Sequence, residues 1–112
     1  MVSAENGTAA ALFGAFSDPN QLRLLSLLRG GERCVCELVA DLRIPQPRVS
    51  RHMARLKKAG LVRSRRKGYW TYYSLSPAKT PLQRSLLACL DACARVDATL
   101  CADARRCGGG KC

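Results

Sequence analysis

The feature that most constrains this chain is a change of hydrophobic period at Gly60, within residues 44–75, IPQPRVSRHMARLKKAGLVRSRRKGYWTYYSL. Before the change, Val49, Met53 and Leu56 recur at i, i+4 and i+7, which is one face of an α-helix. The positions between them are mostly polar or basic: Arg48, Ser50, Arg51, His52, Arg55, Lys57 and Lys58. Pro47 suits a first helical turn, where its missing N–H costs nothing, and Gly60 stands where a helix C-terminal glycine belongs. After Gly60 the period falls to two: Leu61 to Arg65, a Lys67-Gly68 turn, then Tyr69 to Tyr73, rich in β-formers. An amphipathic helix followed at once by a basic hairpin is the layout of a winged helix-turn-helix. The recognition helix is expected at about 46–59 and the wing at about 61–75.

Charge points the same way. Between residues 42 and 90 there is no Asp or Glu, while Lys and Arg occur twelve times. Such a run is usually only a solvated basic face, but here it lies on a helix and a hairpin rather than on a tail. A surface of one sign on a folded element binds phosphate and releases counterions, so double-stranded DNA is the expected partner. Aromatic residues are few and the single Trp falls in the wing, which argues against a single-strand binder built on stacking platforms.

At 112 residues the chain is expected to form one domain with a modest core. No apolar run approaches the roughly 20 residues of a membrane span, and no basic segment precedes an apolar one at the N-terminus. A cytoplasmic protein with no membrane partner is expected. In a reducing compartment its seven cysteines are thiols, which favours metal binding or redox chemistry over a disulfide framework.

In chain order, residues 9–16 read as a first helix with Leu12, Phe13 and Phe16 on its apolar side. Asp18 as N-cap and Pro19 at the first position start a second helix. It carries Leu22, Leu25 and Leu28, with Leu24 and Leu27, and ends at Gly30-Gly31. A third helix should cover residues 35–42 with Leu38 and Leu42 inward, before the Ile44-Pro45 turn. The core region is thus 9–80. A last helix over 81–104 places Leu82, Leu86, Cys89, Cys93, Val96 and Leu100 at 4-3-4-3-4 spacing, a seam of period 3.5. That seam is longer than so small a domain needs for itself and reads as a homodimer interface beside the first helix. Two-fold symmetry suits palindromic DNA. Residues 105–112, RRCGGGKC, read as a flexible cysteine-containing tail. The expected fold is α+β, mainly α: about five helices and a β-hairpin wing, dimeric through its terminal helices.

With these segments in hand, the chain resembles the ArsR/SmtB family of bacterial metalloregulators. The resemblance covers about residues 12–100. It rests on SDPNQLRLLSLL, ERCVCELVADL, VSRHMARLKKAGLV and RRKGYWTYYSL. It implies a homodimeric repressor that holds the operator of a resistance operon until a metal or metalloid binds. Carried over by position, the DNA-facing residues are Gln46, Arg48, Ser50, Arg51, His52 and Arg55, with Arg65, Arg66 and Lys67 on the wing. Gln46, Arg48, Ser50 and Arg51 are the expected readers of base edges.

Cys34-Val35-Cys36 falls at the start of the third helix, where the family's arsenic sensors carry the same triplet. A C-x-C alone is a weak signal, and packing is the usual role of a buried cysteine. Here a thiolate pair drawn onto one ion would strain the turn that leads to the recognition helix. The third cysteine of the arsenic-sensor pattern is replaced by Val39. Cys101, Cys107 or Cys112, from either protomer, is the expected source of a third sulfur, unless those three form a site of their own. Cys89 and Cys93, on the seam, are expected to pack.

The last helix has no His, which removes the His/Asp site of the family's zinc, nickel and cobalt sensors. All-thiolate ligands favour soft ions: As(III) or Sb(III) as inducer, with Cd(II), Pb(II) or Cu(I) as alternatives. A thiol redox or persulfide sensor of the same fold would use the cysteines differently, through pairs more distant than C-x-C. A thiol-dependent reductase is the reading from another class. It lacks support, because no phosphate loop, paired carboxylates or His beside a nucleophile is present apart from His52.

Overall fold

The computed structural model describes the backbone of residues 9–108 and the side chains of residues 9–103. Helix α1 spans Ala9–Ser17 and α2 spans Pro19–Leu28. Asp18 caps α2 as expected: its carboxylate accepts the backbone N–H groups of Asn20 and Gln21 at 2.8 and 3.1 Å. Such a cap contributes about 1 kcal/mol. A two-residue strand, β1 (Arg33–Cys34), was not foreseen, and it leads directly into α3 (Val35–Leu42). Arg43 then takes a left-handed conformation, φ 59°, and ends α3 with its N–H on the Val39 carbonyl. Three residues later α4 (Gln46–Lys58) begins, with Pro47 in its first turn. The α3–turn–α4 unit is the helix-turn-helix.

Gly60, at φ 83°, closes the last turn of α4 and lets the chain reverse into β2 (Val62–Lys67) and β3 (Trp70–Leu75). A side chain at this φ would be strained, which is why glycine stands here. The hairpin turn is Gly68-Tyr69 rather than Lys67-Gly68, because Lys67 already pairs with Trp70 and Gly68 takes φ 64°. The sheet has three antiparallel strands in the order β1-β3-β2. The extra strand pairs Arg33 with Tyr73 and Cys34 with Tyr72, so the return strand of the wing is stitched to the start of α3.

The core forms where the periodicity placed it. Leu24, Leu25, Leu27, Leu38, Val49, Met53, Leu56 and Leu61 are fully buried. Burying such side chains stabilises the fold by about 1.5–3 kcal/mol each. Leu22 is only partly buried at the core's edge.

The last segment departs from expectation. It is two helices, α5 (Pro81–Val96) and α6 (Ala98–Gly108), making six among the described residues. The break is at Asp97, which is extended (φ −120°, ψ 116°) and whose carboxylate accepts the N–H of Leu100 at 3.1 Å. An Asp ahead of a helical turn is an N-cap signal that the 3.5-residue seam obscured. Because of the break, Leu100 no longer continues the face that Leu82, Leu86, Cys89, Cys93 and Val96 share on α5. Leu100 is buried in the chain's own core, Val96 is 88% exposed, and Leu82 and Leu86 lean on the core beside the fully buried Leu90.

Asp103 of α6 is wholly buried and accepts the Arg23 guanidinium at 2.9 Å. The same guanidinium donates to the carbonyls of Asp41 and Leu42 at 3.3 and 3.4 Å. Arg23 of α2 therefore ties α6 to the C-terminal end of α3. Among the described residues, no helix is long and apolar enough to cross a membrane.

Candidate nucleic-acid interface and thiol site

Helix α4 turns Val49, His52, Met53 and Leu56 inward and leaves Gln46, Arg48, Arg51 and Arg55 exposed, with Ser50 half-buried. His52 is the correction. It lies three residues after Val49 and four before Leu56, on the same stripe, so the helical period itself points it inward. Its Nδ1 meets the Gln21 side-chain oxygen at 3.1 Å, and Gln21 Nε2 donates to the Ala15 carbonyl at 3.1 Å. The imidazole thus joins α4 to α2 and, through Gln21, to α1, and it is turned into the protein, away from the exposed basic face of α4. Burial pushes its pKa below the ordinary value. Arg55, Arg48 and Arg51 push the same way, while the Asp18 carboxylate 4.0 Å off pulls against them.

On the wing, Arg66 and Lys67 are exposed, as expected of phosphate contacts. Arg65 is exposed as well, but its guanidinium is already paired. Its guanidinium makes a two-pronged ion pair with Glu32 at 2.7 and 2.9 Å and lies over the Tyr72 ring, 4.9 Å from its centre. The pairing follows from β1, which brings the residue just before it under the wing. Glu32 is held below the usual carboxylate range chiefly by its hydrogen bond to Arg65.

The thiol pair sits at the junction of β1 and α3. The Cys34 backbone N–H donates to the Glu37 carboxylate at 2.8 Å, so Glu37 caps the first turn of α3 from within. Cys34 is buried and Cys36 exposed, and the Cys36 thiol donates to Cys34 Sγ at 2.9 Å. That contact, before burial, raises the Cys36 pKa. The pair opens onto a groove of about 340 Å³ lined also by Glu32, Glu37, Trp70 and Tyr72. Sequence reasoning missed Trp70 and Tyr72 here, because only the β1–β3 register reveals them.

Among the described residues, Cys89, Cys93 and Cys101 do not join this pair in a metal-holding cluster. Among the described residues no three His, Cys, Asp or Glu side chains converge to hold a metal ion. Cys101 is half-buried on α6, while the expectations for the Cys107 side chain and for Cys112 lie outside the described residues. Cys89 is exposed and Cys93 half-buried on α5 in the single chain, which leaves both on the face expected to pack across a dimer seam. Burial first, then the neighbouring Cys89, raises the Cys93 pKa.

A helix-turn-helix with an exposed basic second helix, followed by a basic wing, defines a DNA-binding regulator of the winged-helix class. Within that class, the chain belongs to the arsR family of bacterial regulatory proteins, whose family model matches residues 18–64. It is 45% identical over 71 residues to the arsenic resistance transcriptional regulator ArsR1 of Pseudomonas putida, covering 62% of this chain and 56% of that protein. It is 38% identical over 97 residues to a probable mercury resistance operon repressor of Streptomyces lividans, covering 80% and 78%. Among solved structures, HlyU from Vibrio cholerae superposes with a TM-score of 0.68 at 28% identity, covering 80% of this chain and 91% of that one. The chain spans about half to four fifths of the length of the curated relatives it matches. It is a transcriptional regulator and not an enzyme.

Proposed function

We propose that this regulator is a homodimeric repressor of a metal(loid)-resistance operon, released from its operator when a soft ion binds Cys34 and Cys36. The observation that carries the reading is the 2.9 Å contact between the two sulfurs at the first turn of α3. One atom bonded to both must displace the Cys34–Cys36 contact and pull on the helix start. Only a three-residue turn separates α3 from α4, so that pull moves Gln46, Arg48, Ser50, Arg51 and Arg55 against the DNA. Two thiolates favour soft ions, As(III) or Sb(III) ahead of Cd(II), Pb(II) or Cu(I). The arsenic and mercury relatives support that class. Cys101, Cys107 or Cys112 is proposed to supply the third sulfur to a bare trivalent ion. For the dimer, support comes from Phe13 on α1 and Val96 on α5, which are 54% and 88% exposed, and from Cys89 of α5, exposed as well.

The test is a band shift with reduced protein on DNA from upstream of its own gene, titrated separately with As(III), Sb(III), Cd(II) and Zn(II), with diamide as the oxidant control. Release by a trivalent metalloid but not by Zn(II) is expected. Release by diamide alone would replace the metalloid reading with a redox one.

A further inference from the structure

We infer that Arg23 is a positioning residue for operator binding, and that α6 sets it in place through Asp103. This role is independent of whatever binds Cys34 and Cys36. The last carbonyls of a helix have no partner within it and form its negative end, so they are met by water or by a donor from elsewhere. At the end of α3 the donor is Arg23 of α2. Its Nη2 donates to the Asp41 carbonyl at 3.3 Å and its Nη1 to the Leu42 carbonyl at 3.4 Å. The next residue, Arg43, is the left-handed one, and α4 begins at Gln46. The direction in which α4 leaves α3 is thus set immediately past the arginine's grip.

Those two hydrogen bonds are long, and Asp103 is what aims them. Nε and Nη2 of Arg23 pair with the two Asp103 oxygens at 2.9 and 3.3 Å, which fixes the plane of the guanidinium. Asp103 has no exposed surface. A carboxylate out of reach of water tolerates no partial withdrawal of its partner, so α6 docks with Arg23 in place or does not dock there. A second arginine holds the same end of α3. Arg33 of β1, itself buried, donates to the Asp41 carboxylate at 3.0 Å, and its sheet partner is Tyr73 on the return strand of the wing. The end of α3 is therefore held through Arg23 by α2 and α6, and through Arg33 by the sheet that carries the wing. An apolar pair could fill the space between α2 and α6 with equal stability, but it could not donate to carbonyls.

Full-length variants, each first shown by urea unfolding to be folded under the assay conditions, would be compared in band shifts on a duplex from upstream of the protein's own gene. Arg23→Lys keeps the charge and loses the planar fork, while Asp103→Asn keeps the shape and loses the charge. Both should raise the protein concentration needed to half-saturate the duplex roughly tenfold, the size expected of residues that act through others. Arg29→Ala is the control, because Arg29 lies on the same helix in an exposed pair with Asp91 of α5 that does not include α3. It should stay within about twofold of the parent. Arg23→Met/Asp103→Leu replaces the buried pair by apolar volume and should unfold near the parent's urea midpoint, yet bind as weakly as the single variants. Parental stability with lost affinity is what a merely structural tie would not give. Amide hydrogen exchange gives a readout without DNA. The Arg43 N–H, bonded to the Val39 carbonyl at 2.8 Å, should exchange faster in the double variant and at the parent's rate in Arg29→Ala. If the double variant is unstable, Arg23→Lys decides by the same two readouts. Parental affinity in a folded Arg23 variant, or an equal loss in Arg29→Ala, would overturn the positioning role. If the parent itself does not shift the duplex, the repressor reading falls, and an unchanged Arg43 exchange rate in the Arg23 variants would then overturn the tie.

Discussion

The chain carries two thiol pairs close in sequence, and the fold treats them differently. Cys34 and Cys36 lie where a strand becomes a helix, sulfur on sulfur at 2.9 Å, under a wing that contributes two rings and an Arg–Glu pair. Cys89 and Cys93 lie one turn apart on α5, a helix whose successor α6 is anchored to α2 by Leu100 and the buried Arg23–Asp103 pair. The first pair stands at a place that can move the DNA-reading elements. The second stands on a brace. The lesson is that a pair of cysteines acquires a role from what its displacement would shift.

Four sets of substitutions sharpen or break that contrast, the largest effect first. Leu100→Ala should cost about 3 kcal/mol in urea unfolding, because a buried leucine that docks α6 is truncated. Val96→Ala, on the same expected seam, should change the stability of the monomer by less than about 0.5 kcal/mol. Equal costs for the two would restore the single seam and undo the division of the last segment.

Cys34→Ser or Cys36→Ser should raise the inducer needed for operator release by about a hundredfold or more, since even supporting residues of metal sites cost about 10–100-fold. The double variant Cys89→Ser/Cys93→Ser should stay within a few-fold of the parent protein. The reverse ranking in a band-shift titration would move the sensor to α5.

Arg51→Ala should weaken operator binding by about 1–3 kcal/mol and relax specificity at one base pair if it reads an edge, whereas Arg66→Ala should mainly lower the salt slope by about one. Arg84→Ala on α5 should do neither, and an equal loss there would extend the DNA surface onto the brace.

The smallest effect concerns pH. Burial depresses the His52 pKa below 6.5, so the unfolded chain takes up a proton where the folded chain does not. Stability should therefore be complete above about pH 6.5 and be lost as pH falls from there through the lower folded value. His52→Gln, which keeps a polar partner for Gln21, should flatten that slope between pH 7.5 and 5 without removing DNA binding. Loss of binding at neutral pH in this variant would return His52 to the DNA face.

The helix-turn-helix, the wing and the Asp18 cap were legible because each is written locally, in a period, a cap residue or a glycine at a turn. The same local reasoning misassigned His52 by its chemistry when its spacing from Val49 and Leu56 already placed it on the buried stripe. It also ran one helix through Asp97, because an apolar repeat of 3.5 outweighed a single capping residue.

What the sequence by itself determined is therefore the elements other than β1 and the α5–α6 break, the basic face of α4 and the identity of the thiol pair, all of which depend on neighbours within a turn or a strand. Only the tertiary structure decided what surrounds the pair. Tyr72 and Trp70 are more than thirty residues from Cys34 in sequence, and a two-residue strand, too short to leave a periodic signal, is what sets them beside it. Likewise the Arg23–Asp103 tie spans the chain and forms only after α6 has docked. Long-range pairings of this kind are selected by the packing of whole elements, and no local pattern records them.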